Sequence, residues 1–265
     1  MEDVTIQVQG LVARYGEKVV LDGVDLTVKK GELRVILGGS GCGKSTLLKH
    51  LIGLLPPSAG SIQLLDVDLA TADEPEKQAV LGRIGMLFQG GALLNSMTLH
   101  ENVALPMEER THLPTEVIDE MVRMKLAMVG LAEASPLFPP ELSGGMRKRA
   151  ALARAMALDP AVLFCDEPSA GLDPITSAAL DELLLSIRDR FGMSMVVVTH
   201  ELESIRRIAD RATMLDKGKV IADGTLAEVE ASPHPMVRAF FDRRPEAEGT
   251  RSSVWSALGA SGGPP

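Results

Sequence analysis

Cysteine, aromatic residues, long apolar runs and positive charge are all in short supply in this chain, and each shortage removes a class of protein. Two cysteines, Cys42 and Cys165, are too few for a disulfide framework or a cysteine-built metal site. Six Phe, one Tyr and one Trp leave the core to Leu, Val, Ile, Met and Ala. No apolar stretch reaches the ~20 residues that a membrane-spanning helix needs. The first residues read as a polar strand rather than a secretory leader. Lys and Arg number 27 against 36 Asp and Glu, for a net charge of −9. A duplex-binding protein needs a basic face that displaces counterions. The run Arg147-Lys148-Arg149 is too short to supply one, so nucleic acid is not an expected ligand. The remaining expectation is a soluble cytoplasmic chain with one full α/β core, serving a membrane, if it does so, through a partner.

Apolar patterning supplies the architecture. Val4, Ile6 and Val8, then Val24, Leu26 and Val28, alternate as half-buried strands around the turn-like Arg14–Lys18. Leu33–Leu37 and Ile84–Phe88 read as short strand candidates, and the compact apolar runs Val162–Cys165 and Met195–Val198 as strands buried on both faces. Helices are expected over 44–55, closed by Pro56-Pro57, over 114–130 and over 145–158. In the second, Val117, Met121, Met124, Met128 and Leu131 form the apolar stripe. Asp216-Lys217-Gly218-Lys219 signals a hairpin. Strands alternating with helices imply a largely parallel sheet with helices on both faces.

Two stretches carry recognisable chemistry. Gly38-Gly39-Ser40-Gly41-Cys42-Gly43-Lys44-Ser45-Thr46 follows a strand and opens a helix, matching G-x-x-x-x-G-K-[ST]. Glycines let successive N–H groups face one anion, and the helix start adds its positive end. Lys44 is placed for the β- and γ-phosphates, Ser45 for Mg²⁺ and Thr46 for the α-phosphate. The second stretch is Val162-Leu163-Phe164-Cys165-Asp166-Glu167, a buried strand delivering two carboxylates to the sheet edge where open α/β folds bind ligands. Asp166 is expected to hold hydrated Mg²⁺ and Glu167 to polarise the attacking water. His200, after Met195–Thr199, is a candidate partner for the γ-phosphate or that water. Cys42, at a helix start, is expected to favour its thiolate, so that alkylation blocks hydrolysis; Cys165 is expected to be an inert buried residue.

Leu142-Ser143-Gly144-Gly145-Met146 places Ser and two glycines at another helix start, a second anion site in one domain. The two sites are reconciled if the second closes on the nucleotide of a neighbouring copy. Here the chain resembles the ABC ATPase family over about residues 4–242. Leu142-Ser143-Gly144-Gly145 is similar to the family signature, Gln89 to the Q-loop residue that senses Mg²⁺ and the membrane partner, and Ser169–Asp173 to the D-loop. His200 is similar to the switch histidine and Tyr15 to the aromatic that stacks on adenine. Met146 departs from the usual Gln after the signature glycines and lacks its polar atoms.

The resemblance implies a P-loop ABC-type ATPase core with a mixed β-sheet over residues 1–244. It also implies a helical signature subdomain at about 90–158 and a flexible C-terminal tail at 245–265. ATP and Mg²⁺ are the implied cofactors. The implied assembly is a homodimer in which each ATP lies between one phosphate loop and the opposite Ser143-Gly144-Gly145, working beneath multipass permease subunits.

Phe88–Leu94, Met97–Pro106, Glu141–Ala155 with Met146, and Asp173–Thr176 further resemble the MlaF-type ATPases of Mla/Mce phospholipid transporters. That likeness implies an Mce-type lipid-binding ring protein and a small STAS-domain subunit as partners. It implies phospholipid as cargo between inner and outer membranes, maintaining outer-membrane lipid asymmetry, and a peripheral place on the cytoplasmic face of the inner membrane. Half of Ala92, Leu93, Leu94, Met97 and Leu99 are expected to receive a permease helix and half to be core. Trp255 and Leu258 are expected to anchor the tail on the other ATPase copy or on the small subunit. The alternatives are an ATPase for amino-acid or lipoprotein transport, a non-transport ABC protein and a small-molecule kinase.

Overall fold

The computed structural model describes residues 3–243; the expected tail, with Trp255 and Leu258, lies outside them. The chain opens with a long hairpin, β1 (Val4–Tyr15) and β2 (Lys18–Lys29), then enters β3 (Leu33–Gly38) and α1 (Lys44–Leu51). β4 (Ala59–Leu64), β5 (Val67–Asp68), α2 (Glu74–Leu81) and β6 (Ile84–Leu87) follow. Three helices, α3 (Leu99–Arg110), α4 (Thr115–Met128) and α5 (Gly144–Ala155), precede β7 (Val162–Asp166). The remainder runs α6 (Pro174–Phe191), β8 (Ser194–Val198), α7 (Leu202–Ile208), β9 (Arg211–Asp216), β10 (Lys219–Thr225), α8 (Leu226–Glu230) and α9 (Pro235–Phe241).

Among the described residues the strands form two sheets, of which the larger is the expected mixed sheet. The larger has the order β10-β9-β3-β8-β7-β6, parallel except for β10 against β9. The smaller, β2-β1-β4-β5, is antiparallel. The split follows from patterning. A run apolar on both faces needs cover on both, whereas a one-faced alternating hairpin can only provide cover. Ile6, Val8, Leu26 and Ile62 therefore pack with Ile36, Phe164, Val196 and Leu215 of the large sheet and with Leu47, Leu48 and Leu51 of α1. On the opposite face Val35, Leu163, Met195 and Val197 share a core with α3–α6. Leu163 and Phe164, neighbours in β7, serve opposite cores, as the strand period requires.

One buried cation spans the two sheets. Arg34 of β3 is 2% exposed. Its guanidinium donates to Glu32 Oε1 (2.6 Å), Thr213 Oγ1 (3.0 Å), Asp223 Oδ1 and the Thr27 carbonyl of β2 (2.6 Å). A charge buried this far is tolerated only with its donors satisfied.

Two sequence expectations change. α1 stops at Leu51, one turn before the prolines, because Gly53 takes the left-handed conformation (φ +71°) that closes a helix. α4 buries Ile118, Val122 and Leu126 together with Lys125, whereas Val117 and Met124 are exposed. The expected stripe is thus split: Met121, Met128 and Leu131 pack on or in the core, and Val117 and Met124 face outward. Both sets have helical spacing, and within α4 Ile118, Val122 and Leu126 are the most deeply buried apolar residues. In the Leu93–Leu99 segment Leu99 is buried, Leu93 packs on the core and Leu94 is exposed. Buried Asn102 fixes this segment, donating to the Leu94, Met97 and Thr98 carbonyls and accepting from Leu94 N–H.

Candidate active site

β3 delivers the glycine-rich loop to the C-terminal edge of the large sheet, and α1 carries the chain away from it. Glycine is obligatory at two loop positions. A Cβ on Gly38 (φ +145°) would stand 2.2 Å from the Leu215 carbonyl oxygen, and one on Gly43 (φ +114°) 2.7 Å from Leu21 Cδ2. Gly39, Ser40, Gly41 and Ser45 lie toward the surface, with Thr46 half-buried. Lys44 folds back over the loop, its Nζ donating to the Gly38 (2.8 Å) and Gly39 (2.9 Å) carbonyls. A loop so curled, at a helix start, with an ammonium above it, can wrap a polyphosphate.

Cys42 corrects a sequence expectation. Its side chain points inward, 5% exposed, and burial pushes the thiol up more than nearby Lys44 pulls it down. The local helix-start argument loses to desolvation. Cys165 is fully buried, its thiol pushed up to about 12 by burial. Both thiols are therefore neutral near pH 8 and shielded. Peptide mass spectrometry of the native chain after iodoacetamide at pH 8 should find neither alkylated, and both alkylated after unfolding. Rapid native labelling of Cys42 would contradict its burial.

β7 and β8 are adjacent parallel strands, which brings their C-terminal ends together. The strand ends at Asp166, and Glu167 turns out of it with φ +46°. Left-handed backbone at a non-glycine residue costs of order 1–3 kcal/mol and persists only when its surroundings hold it. Here Glu167 N–H donates to the Val198 carbonyl of β8 (2.8 Å). Its carboxylate Oε1 meets His200 Nδ1 at 2.8 Å, while Oε2 is buried without a hydrogen-bond partner among the described residues. The His200 ring is largely exposed beside it. Asp166, half-buried, has its carboxyl pushed up by burial and by the charge of Glu167, against the pull of Lys44 and Lys148.

An added cation would relieve that strain on the acid pair. The residues expected to hold one carry hard oxygens: a hydroxyl on Ser45, a carboxylate on Asp166 and a side-chain carbonyl on Gln89. No cluster of three or more His, Cys, Asp or Glu exists among the described residues. The set therefore fits Mg²⁺, which takes one or two carboxylates and fills its shell with phosphate oxygens and water.

The second helix start lies on α5. Ser143 is its N-cap, the hydroxyl accepting from Met146 N–H at 3.3 Å. Gly145 is required by packing as well: a Cβ there would stand 2.5 Å from Thr176 Cγ2 of α6. Met146 packs partly buried on the core, so this position contributes apolar contact. Gln89 lies exposed just past β6, and Tyr15 is half exposed beside the β1–β2 turn.

One residue of the site escaped sequence reasoning. Lys148 of α5 is buried, and its ammonium donates to the Gln89 carbonyl and to the Glu167 carbonyl (3.1 Å). Burial pulls its pKa down, opposed by Glu167 and Asp166. Its neighbours in the basic run also serve carbonyls: Arg147 that of Leu142, and Arg149 that of Val129. The run reads as a solvated patch in sequence. The only available signal was that Lys148 lies four residues before Leu152, on the stripe that the helix buries.

Comparison with known proteins agrees with this geometry. Residues 21–170 match the family described as "ABC transporter". The chain is 42% identical over 236 residues to the "Intermembrane phospholipid transport system ATP-binding protein MlaF" of Haemophilus influenzae, covering 89% of each. It is 41% identical over 241 residues to the "Probable ribonucleotide transport ATP-binding protein mkl" of Mycobacterium tuberculosis, covering 91% of this chain and 67% of that one. The solved post-hydrolysis dimer of the ATP-binding cassette MJ0796 with ADP and Pi superposes with a TM-score of 0.76 at 30% identity, covering 83% of this chain and 98% of that one. A glycine loop under a lysine, an acid–histidine pair on neighbouring strands and these likenesses lead to one conclusion: the chain belongs to the ABC transporter family, as an ATP-hydrolysing subunit.

Proposed function

We propose that this subunit, as a homodimer beneath a multipass permease, powers phospholipid transport between the inner and outer membranes from the cytoplasmic face of the inner one. The phosphate loop and the Glu167–His200 pair at one edge of a single sheet support the catalytic half of this reading. The cargo half rests on the 41–42% identity to the MlaF proteins and on Met146 in the signature.

In this reading Gly38–Gly43, Lys44 and Thr46 bind the phosphates and Tyr15 stacks on adenine. Ser45, Gln89 and Asp166 would hold Mg²⁺, which supplies charge neutralisation at the phosphates. Ser143, Gly144 and Gly145 reach the nucleotide of the second copy, and α3–α5 form the subdomain that carries them. Glu167 orients a water at Oε2, the carboxylate oxygen without a partner. The water oxygen bonds to the γ-phosphorus as the bond to the bridging oxygen of ADP breaks, and the water proton passes to the carboxylate. His200 Nδ1 holds Oε1, and Nε2, when it too carries a proton, can donate to a phosphate oxygen.

The relatives' printed names differ over cargo, so the test addresses cargo directly. The tagged full-length chain is purified from native membranes, and co-purifying proteins and lipids are identified by mass spectrometry. A multipass permease, an Mce-type ring protein, a small STAS-domain protein and bound glycerophospholipid are expected. A periplasmic amino-acid-binding protein in their place would overturn the phospholipid reading and leave the ATPase reading intact.

A further inference from the structure

We propose that Lys148 is a positioning residue that holds Glu167 in its working orientation and ties that orientation to the signature helix. The inference rests on Glu167 being the general base.

Lysine is rarely buried without partners, and taking an ammonium out of water costs several kcal/mol. A Met or Leu would fill the same space without that cost, so the ammonium needs a reason to be there. Its partners supply one. Helical side chains lean toward the N-terminus of their helix, so Lys148 lies back over the turn that begins at Ser143. From there its Nζ reaches the Gln89 carbonyl, beyond β6, and the Glu167 carbonyl, beyond β7. Those strands are neighbours in the large sheet. A single charged group on α5 therefore caps the ends of two strands.

The Glu167 carbonyl is a sensitive point to hold. This residue has φ +46°, and its N–H is tied to Val198. With the carbonyl tied to Lys148, the peptide groups on both sides of the strained residue are fixed. The carboxylate then meets His200 at 2.8 Å, with Oε2 left unpartnered. Released from Lys148, Glu167 can relax toward ordinary backbone, which swings the carboxylate away. The neighbouring donors show the same dependence on α5. Arg154 of this helix donates to the Gly91 (2.9 Å) and Ala92 (2.7 Å) carbonyls. A displacement of α5 against the sheet thus moves the segment after Gln89 and the Glu167 backbone together.

The test compares Lys148→Met, Lys148→Gln and Lys148→Arg with Glu167→Gln in the full-length chain in complex with its permease. The readouts are kcat and KM for MgATP. Misplacing a reacting group by about 1 Å costs up to ~10²-fold, so Lys148→Met should lower kcat by about 10–100-fold with KM within about 2-fold. Lys148→Arg, which still donates to both carbonyls, should recover to within about 5-fold of the parent. Lys148→Gln should fall between them. It keeps the comparison decisive if the Met variant does not fold. Parental kcat in Lys148→Met or Lys148→Gln, a change confined to KM, or an Arg variant no better than the Met one would each overturn the proposal. Normal turnover by Glu167→Gln would instead remove the base assignment itself.

Discussion

Replacing Glu167 by Gln should lower the maximal rate of ATP hydrolysis by about 10²–10⁴-fold, the range expected when a general base is lost, while ATP still binds. Glutamine has the same shape and can keep a hydrogen bond to His200, but it cannot take a proton from water. The backbone strain at this position is held by Val198 and Lys148, which the substitution leaves in place. Binding and turnover should therefore separate. Phosphate release gives the rate, and nucleotide affinity measured on the same preparation gives the binding. Turnover within about threefold of the parent would take Glu167 out of the base role, given the usual size of that contribution.

Lys44→Ala is expected to lower hydrolysis by about 10²–10³-fold, the cost of removing one preorganised donor to the reacting group, and to weaken nucleotide binding as well. Here the two effects should move together, because the ammonium meets the phosphates in the ground state and in the transition state. Lys44 now rests on the Gly38 and Gly39 carbonyls, half-buried, so it can exchange those two acceptors for phosphate oxygens without crossing a dry interior. The same partial exposure means that the fold should survive. A melting temperature close to the parent's, with hydrolysis lost, is the expected pattern. Unimpaired hydrolysis would contradict the phosphate-loop assignment.

The parts of this site that sequence disclosed are those whose physics is local. Gly38 to Thr46 announces itself because tight curvature, a helix start and a lysine all occur within nine consecutive residues. Asp166 and Glu167 are legible because a run buried on both faces ends in charge. What sequence could not disclose depends on what a neighbouring element does. Cys42 sits where a helix end should favour a thiolate, yet the packing of β9 and Gly38 around the loop buries it. α4 is apolar around much of its circumference, and only its packing against α3 and α5 decides that Ile118, Val122 and Leu126 are the most deeply buried. Lys148 lies in a run of three cations, and no rule of composition distinguishes the member that is desolvated. The antiparallel second sheet was half visible in the one-faced alternation of β1 and β2. Its separateness depends on β4 returning to pair with β1, a contact distant in sequence.

The Arg34 guanidinium, clasped at once by Thr27 of one sheet and by Thr213 and Asp223 of the other, has a mechanical meaning. Sliding one sheet over the other would break the Thr27 contact and leave one buried guanidinium donor unpaired, which opposes relative motion of these layers. The rim where α5 meets the ends of β6 and β7 combines buried apolar packing with the carbonyl bonds of Lys148, so a rearrangement there would reach Gln89 and Glu167 at once.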